Sequence, residues 1–321
     1  MPEPDVSSSI NNWIYVTGVI RSGTTFVGDM LSRGLRVDYI HEPFLGGYTL
    51  PDRRPLVPAY VPPDDIHSPE AHAYDAQLKA LLEYRIGIPS ARYDKDPGMR
   101  KALKSLVGSR GPFYLRIARI NPLSRTSVIK DPYGKLAAER LHVRFGVKPV
   151  IVVKHPVSLA ASLERVGWWP DLSDFRTQDR LRERFLPHEE AFFARSWPTR
   201  MHESMAHWRV SYKILLDQAD EHGWSIVVHE TLSSDPVSEF SDLFDRLGMT
   251  FKPSIARRVR KMTSAGTASA RQGRVQDFKR DSARIFEQRR AAIPVAVRRE
   301  IYEIVADVAL RLYDRESFAL D

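Results

Sequence analysis

The sixteen residues YVTGVIRSGTTFVGDM (15–30) restrict the fold more than any other part of the chain. An apolar, β-branched run of strand length, WIYVTGV at 13–19, enters a loop bounded by Gly18 and Gly23. The residues beyond it repeat apolar side chains at Phe26, Val27, Met30 and Leu31, which is helical spacing. Strand, glycine loop and helix make a βα unit. The G-x-x-x-x-G spacing ending at Thr25 is that of a phosphate-binding loop. Its glycines let backbone N–H groups turn inward around an anion, and the helix N-terminus adds a positive dipole. Thr24 stands where such loops carry a lysine, and a cation is found instead at Arg21. Without the lysine, the terminal phosphates of a triphosphate lose their counter-charge, which weakens an ATPase or kinase reading. A turn with a purely structural role is the plain alternative.

Downstream, RVDYI is a short second strand that delivers HEPF (41–44) to its carboxyl end. Residues 45–69 hold Pro51, Pro55, Pro58, Pro62, Pro63 and Pro69 and are expected to form a long irregular loop. Helical patterning resumes over about 70–87. Strand TSVIK (126–130), helix YGKLAAERLHVRFG, strand KPVIVVK (148–154) and helix PVSLAASLERVG, with Pro156 in its first turn, follow in alternation. Helical stretches are expected near 171–185 and 189–219, then strand WSIVVHE (224–230) and a helix over about 236–247 closed by Gly248. Such alternation predicts an α/β fold with a central parallel, doubly wound sheet and helical insertions. No linker divides the chain, so a single domain over 1–321 is expected. Residues 1–12 are expected to be flexible, and 45–69 and 164–205 to be a loop and an insertion that choose what the site takes.

Composition removes several chemistries. With no cysteine among 321 residues, disulfides, iron–sulfur clusters, thiolate zinc sites and cysteine nucleophiles are excluded. The ten histidines show no paired metal-ligand spacing, so no metal is assigned. No apolar run reaches the roughly 18 residues of a membrane span, and the N-terminal residues lack the order of a secretion signal, so a cytoplasmic location is expected. The net charge of +8 is concentrated at 251–290, where twelve Lys/Arg face three acidic residues. That block suits a solvated helical face, a nucleic-acid surface or an arm closing on an anionic small ligand; thin aromatic interleaving argues against nucleic acid.

GVIRSGTTFVGDML and VIVVKHPVSLAASLERVGW, joined in the same order by VIKDP (128–132), VVHETLSSDP (227–236) and FKRDSARIFEQRR (278–290), resemble the sulfotransferases that use 3′-phosphoadenosine 5′-phosphosulfate (PAPS), in their bacterial form. The resemblance implies a three-layer, P-loop-like sulfotransferase fold. It also implies PAPS as donor, 3′-phosphoadenosine 5′-phosphate (PAP) as product, and no metal. A donor with a single 5′-phosphate joined to sulfate has no γ-phosphate, so the loop needs no lysine. Carried over, Ser22, Gly23, Thr24 and Thr25 would cradle the 5′-phosphosulfate and Arg21 would stabilise charge on the sulfuryl group and leaving phosphate. Lys154, where the family has arginine, and Ser162 would bind the 3′-phosphate, His229 would lie near the adenine in place of a tyrosine, and Arg280, or Lys279, would clamp the 3′-phosphate.

Glu42 is the candidate general base, matching a glutamate of the carbohydrate and tyrosyl-protein branch, and Lys130 is the second cation. His41 and Asp131 are the alternative bases, and Asp131 could instead cap the following helix. The expected reaction is in-line sulfuryl transfer to a hydroxyl of a small molecule, carbohydrate, natural product or other alcohol or phenol; a homodimer is allowed. The competing readings are an atypical P-loop kinase and a non-catalytic nucleotide- or nucleic-acid-binding protein.

Overall fold

Residues rich in valine and isoleucine make the buried strands. The computed structural model describes residues 9–46, 48–87, 110–263 and 293–321. In chain order the first elements are β1 (Asn12–Thr17), α1 (Thr24–Leu31), β2 (Val37–His41), α2 (Pro69–Leu82), α3 (Arg110–Ile120), β3 (Thr126–Lys130), α4 (Ala138–Phe145) and β4 (Lys148–Val153). Then come α5 (Pro156–Glu164), α6 (Ser173–Arg176), α7 (Asp179–Phe185), α8 (Glu190–Ala194), α9 (Arg200–His222) and β5 (Ser225–Val228). Four helices follow: α10 (His229–Ser234), α11 (Pro236–Arg246), α12 (Pro253–Thr263) and α13 (Val295–Ala309). The fold is α/β, with a five-stranded sheet in the order β2-β3-β1-β4-β5 and parallel ladders for β1/β3, β2/β3 and β4/β5. Two compact units divide the chain: 1–17 with 31–149, and 18–30 with 150–321.

In the first unit β3 lies between β1 and β2, and the register brings Val16, Lys130 and His41 level at the carboxyl ends of the three strands. Ile14, Val16, Ile40, Val128 and Ile129 are fully buried, as alternating strands covered on both faces require. Asn12, expected to lie in a flexible leader, instead opens β1, its N–H bonded to the Arg125 carbonyl. The proline-rich stretch at 45–69 is irregular, as its composition indicates, yet firmly held. Gln77 on α2 both donates to and accepts from the backbone of Val57, and the Ala59 N–H donates to the Tyr74 hydroxyl. Arg140 of α4 donates to the carbonyls of Pro62, Asp65 and Ala71 and to the Asp75 carboxylate.

In the second unit α9 packs against α13 and α5. It sends Tyr212 to the Val152 carbonyl (2.7 Å) and the Trp208 indole N–H to the Lys154 carbonyl (2.9 Å). Two expectations are corrected here. The run WSIVVHE is a strand only through Val228; His229 and Glu230 begin α10, where the Ser233 hydroxyl donates back to the His229 carbonyl. The helices expected at 171–185 and 189–219 are broken. One interruption holds Thr177 and Gln178; the other holds Pro198, which cannot donate to a helix, and Thr199, whose side chain caps α9 by accepting the His202 N–H.

Candidate functional site

The glycine loop belongs to the second unit. β1 hands the chain to Gly18, and α1 begins at Thr24; the N–H groups of Phe26 and Val27 bond the Gly23 carbonyl, and those of Thr24 and Thr25 stand at the helix start beside the loop. Gly18 (φ 151°), Arg21 (φ 70°) and Gly23 (φ 111°) all take positive φ. That conformation is natural for glycine and strained for arginine, and such strain recurs at ligand sites. A Cβ at Gly18 would collide with the Val152 carbonyl, and one at Gly23 would lie 2.8 Å from the His229 ring. Gly18→Ala should therefore lower stability by at least about 1–3 kcal/mol, because a backbone carbonyl inside a sheet has nowhere to move. Urea denaturation measures this, and an unchanged midpoint would show that the loop tolerates another conformation.

Arg21 directs its guanidinium across the second unit. Its Nε donates to Ser162 Oγ at 3.4 Å, and the group lies 5.8 Å from the Trp168 ring centroid. The structure thus brings together Arg21 and Ser162, 141 residues apart, and sets His229 against Gly23. Ser22, Thr24 and Lys154 are buried. The loop is steadied by Tyr212, whose hydroxyl accepts the Val19 N–H (3.2 Å) while donating to Val152. The charge of Lys154 acts on Glu230, whose carboxylate accepts from the His155 N–H and the Tyr313 hydroxyl. Burial lifts the Glu230 carboxyl above its ordinary value, against the downward pull of the lysine and these donors.

The loop fits a phosphate group. Ser22 Oγ is buried without a well-formed hydrogen bond, the Tyr212 hydroxyl beside it being committed to Val19 and Val152. Unpartnered buried hydroxyls carry a desolvation cost that a ligand oxygen would relieve. Arg280 and Lys279 lie outside the described residues, as does most of the basic block.

The first unit holds the second cluster. Glu42 follows β2 in a left-handed conformation (φ 52°, ψ 58°), with its N–H on the Lys130 carbonyl at 2.8 Å. Its carboxylate is in direct contact with the ammonium of Lys130, which is fully buried, and lies 3.7 Å from His41 Nε2. The carboxylate makes no capping bond to the turn Pro43–Leu45. That turn is instead held by Asp131, which accepts from the N–H groups of Phe44 (2.6 Å), Tyr133 (2.7 Å) and Gly134 (3.0 Å). Asp131 is thus a backbone clamp. Burial raises its carboxyl to about 6, while the three N–H donors and the Lys130 charge pull the other way. Tyr48, buried nearby, has its hydroxyl pushed above the ordinary value by burial and by the charges of Asp131 and Glu42.

Sequence reasoning assigns no role to Tyr212 or Glu230, and reads Trp168 only as a core or pocket-lining residue of the 164–205 insertion. Glu230 stands inside a quoted motif, but a lone tyrosine on a long helix gives no local signal.

No protein-family profile matches the chain, and no curated protein matches it. Solved structures give remote likenesses. The sulfotransferase domain of the Synechococcus PCC 7002 olefin synthase is 15% identical with a TM-score of 0.43, over 95% of this chain and 96% of that one. Sulfotransferase STF9 from Mycobacterium avium is 14% identical with a TM-score of 0.45, over 97% and 79%. Mouse sulfotransferase SULT7A1, crystallised with PAP, is 12% identical with a TM-score of 0.42, over 100% and 94%. At these values the likenesses decide no activity. Among the described residues no helix is long and apolar enough to cross a membrane.

Proposed function

We propose that this protein is a PAPS-dependent sulfotransferase acting on the hydroxyl of a small molecule, carbohydrate or other alcohol or phenol, with Glu42 as general base. The observation that carries the reading is the hydrogen bond from Arg21 to Ser162. It joins the two segments that the resemblance assigns to the two phosphates of one nucleotide. The donor, when bound, supplies an activated sulfuryl group.

The chain's own residues then have distinct tasks. Ser22, Thr24, Thr25 and the N–H groups around Gly23 hold the 5′-phosphate. Lys154 and Ser162 hold the 3′-phosphate, joined by Arg280 or Lys279; as a lysine, Lys154 supplies charge without a bidentate fork. His229 borders the adenine. Glu42 takes the proton of the acceptor hydroxyl as its oxygen bonds to sulfur and the bond from sulfur to the bridging oxygen breaks. Arg21 and Lys130 balance the negative charge that then collects on the phosphate. Lys130 is fully buried against Glu42, so its ammonium also fixes the position of that carboxylate.

PAP should raise the melting temperature and adenosine 5′-monophosphate should do so much less, since a ligand that binds only the folded state stabilises it by mass action. Equal shifts from the two nucleotides would remove the 3′-phosphate assignment, and a shift from ATP with magnesium alone would favour a kinase.

A further inference from the structure

The first unit carries an apolar surface that the donor and base clusters do not use. On α3, Phe113, Ile117 and Ile120 recur at helical spacing on one exposed side, while Leu115 and Ala118 of the same helix are fully buried. Ile120 is 75% exposed, and Leu35, in the loop before β2, is 82% exposed. Leu123, after α3, is exposed as well. These tips form one surface because the loops that bear them are tied together. Asn121 Nδ2 donates to the Leu35 carbonyl (3.2 Å) and to Asp38 Oδ1 (2.9 Å), and the Leu123 N–H donates to Asn121 Oδ1 (3.2 Å). The N–H groups of Arg125 and Thr126 donate to the Arg36 carbonyl (2.9 and 3.1 Å).

Its charge has one sign. Arg36, Arg116 and Arg125 are exposed among the apolar tips, and residues 110–126 contain four arginines and no acidic residue. Asp38, which holds Asn121, is buried. We propose that this surface docks on an anionic phospholipid bilayer, Leu35, Ile117, Ile120 and Leu123 entering the interface and Arg36, Arg116 and Arg125 lying at the headgroup level. Apolar side chains ringed by arginine suit an interface whose acyl region is apolar and whose headgroups are negative. Two copies meeting through the same face would oppose like charges. An acidic protein would find few hydrogen-bond donors on this face beyond the arginines. The inference stands apart from the sulfuryl-transfer reading.

The test is co-sedimentation of the full chain with vesicles of phosphatidylglycerol and phosphatidylcholine, against vesicles of phosphatidylcholine alone. Binding should require phosphatidylglycerol and fall steeply at about 0.5 M salt, where screening shortens to a few ångströms. The pairs Leu35→Ser with Ile120→Ser, and Arg36→Gln with Arg125→Gln, should each weaken binding about tenfold or more, since single apolar and basic contacts act in concert at a bilayer surface. All four residues are exposed, though Arg125 Nη1 also donates to the Ser124 carbonyl (2.7 Å), so the arginine pair should lower the melting temperature only slightly and both pairs should keep its rise with PAP. Equal binding to neutral vesicles, or variants that bind like the wild type, would overturn the proposal. So would a dimer in light scattering that dissolves in the Leu35→Ser/Ile120→Ser variant, or binding to poly-glutamate with none to vesicles.

Discussion

Glu42→Gln should lower sulfuryl transfer by about 10²–10⁴-fold, as loss of a general base does, while PAP affinity changes little. Glutamine keeps the shape and one oxygen for Lys130 but accepts no proton at neutral pH. The replacement also leaves the buried Lys130 ammonium without its anion. A modest loss of stability, about 1–3 kcal/mol, is expected alongside, so turnover must be counted per folded molecule. Single-turnover transfer to an acceptor found by screening hydroxyl compounds, with PAP binding measured in parallel, is the decisive pair. Near-normal transfer with intact PAP binding would take Glu42 out of the mechanism. His41 would then be the remaining candidate, because Asp131 is engaged with three backbone N–H groups.

Arg140→Met should cost about 2–4 kcal/mol, a large share of the roughly 5–15 kcal/mol that holds a typical domain together. Arg140 is 1% exposed and donates to Asp75 and to the carbonyls of Pro62, Asp65 and Ala71. Methionine would fill much of the volume but leave those acceptors without their donor. The loss stays below the extreme for a broken buried pair because Arg144 Nε remains 3.4 Å from Asp75. Urea denaturation would report the change, and limited proteolysis should show new cleavage within 51–68. A loss under about 1 kcal/mol, with no new cleavage, would mean that Gln77 and Tyr74 suffice to hold the stretch.

Where each residue type acts through its own neighbours in sequence, the amino-acid order was enough. Valine and isoleucine runs marked β1, β3 and β4, since a β-branched chain with no polar break suits a strand covered on both sides. The glycine spacing marked the loop, because only residues free of a Cβ fit beside the Val152 carbonyl and the His229 ring. Pro198 and Thr199 carried a readable helix break that the apolar spacing around them obscured. Everything that depends on a partner far along the chain was decided by the tertiary structure. Lys130 could face any acid until folding gave it Glu42, 88 residues away. Asp131 was a candidate base until three N–H groups made it a clamp. Glu230 left the strand pattern of β5 because its carboxylate finds the His155 N–H and the Tyr313 hydroxyl, 75 and 83 residues distant. A buried charge takes whichever partner the fold brings within hydrogen-bond reach, and local sequence does not encode that distance.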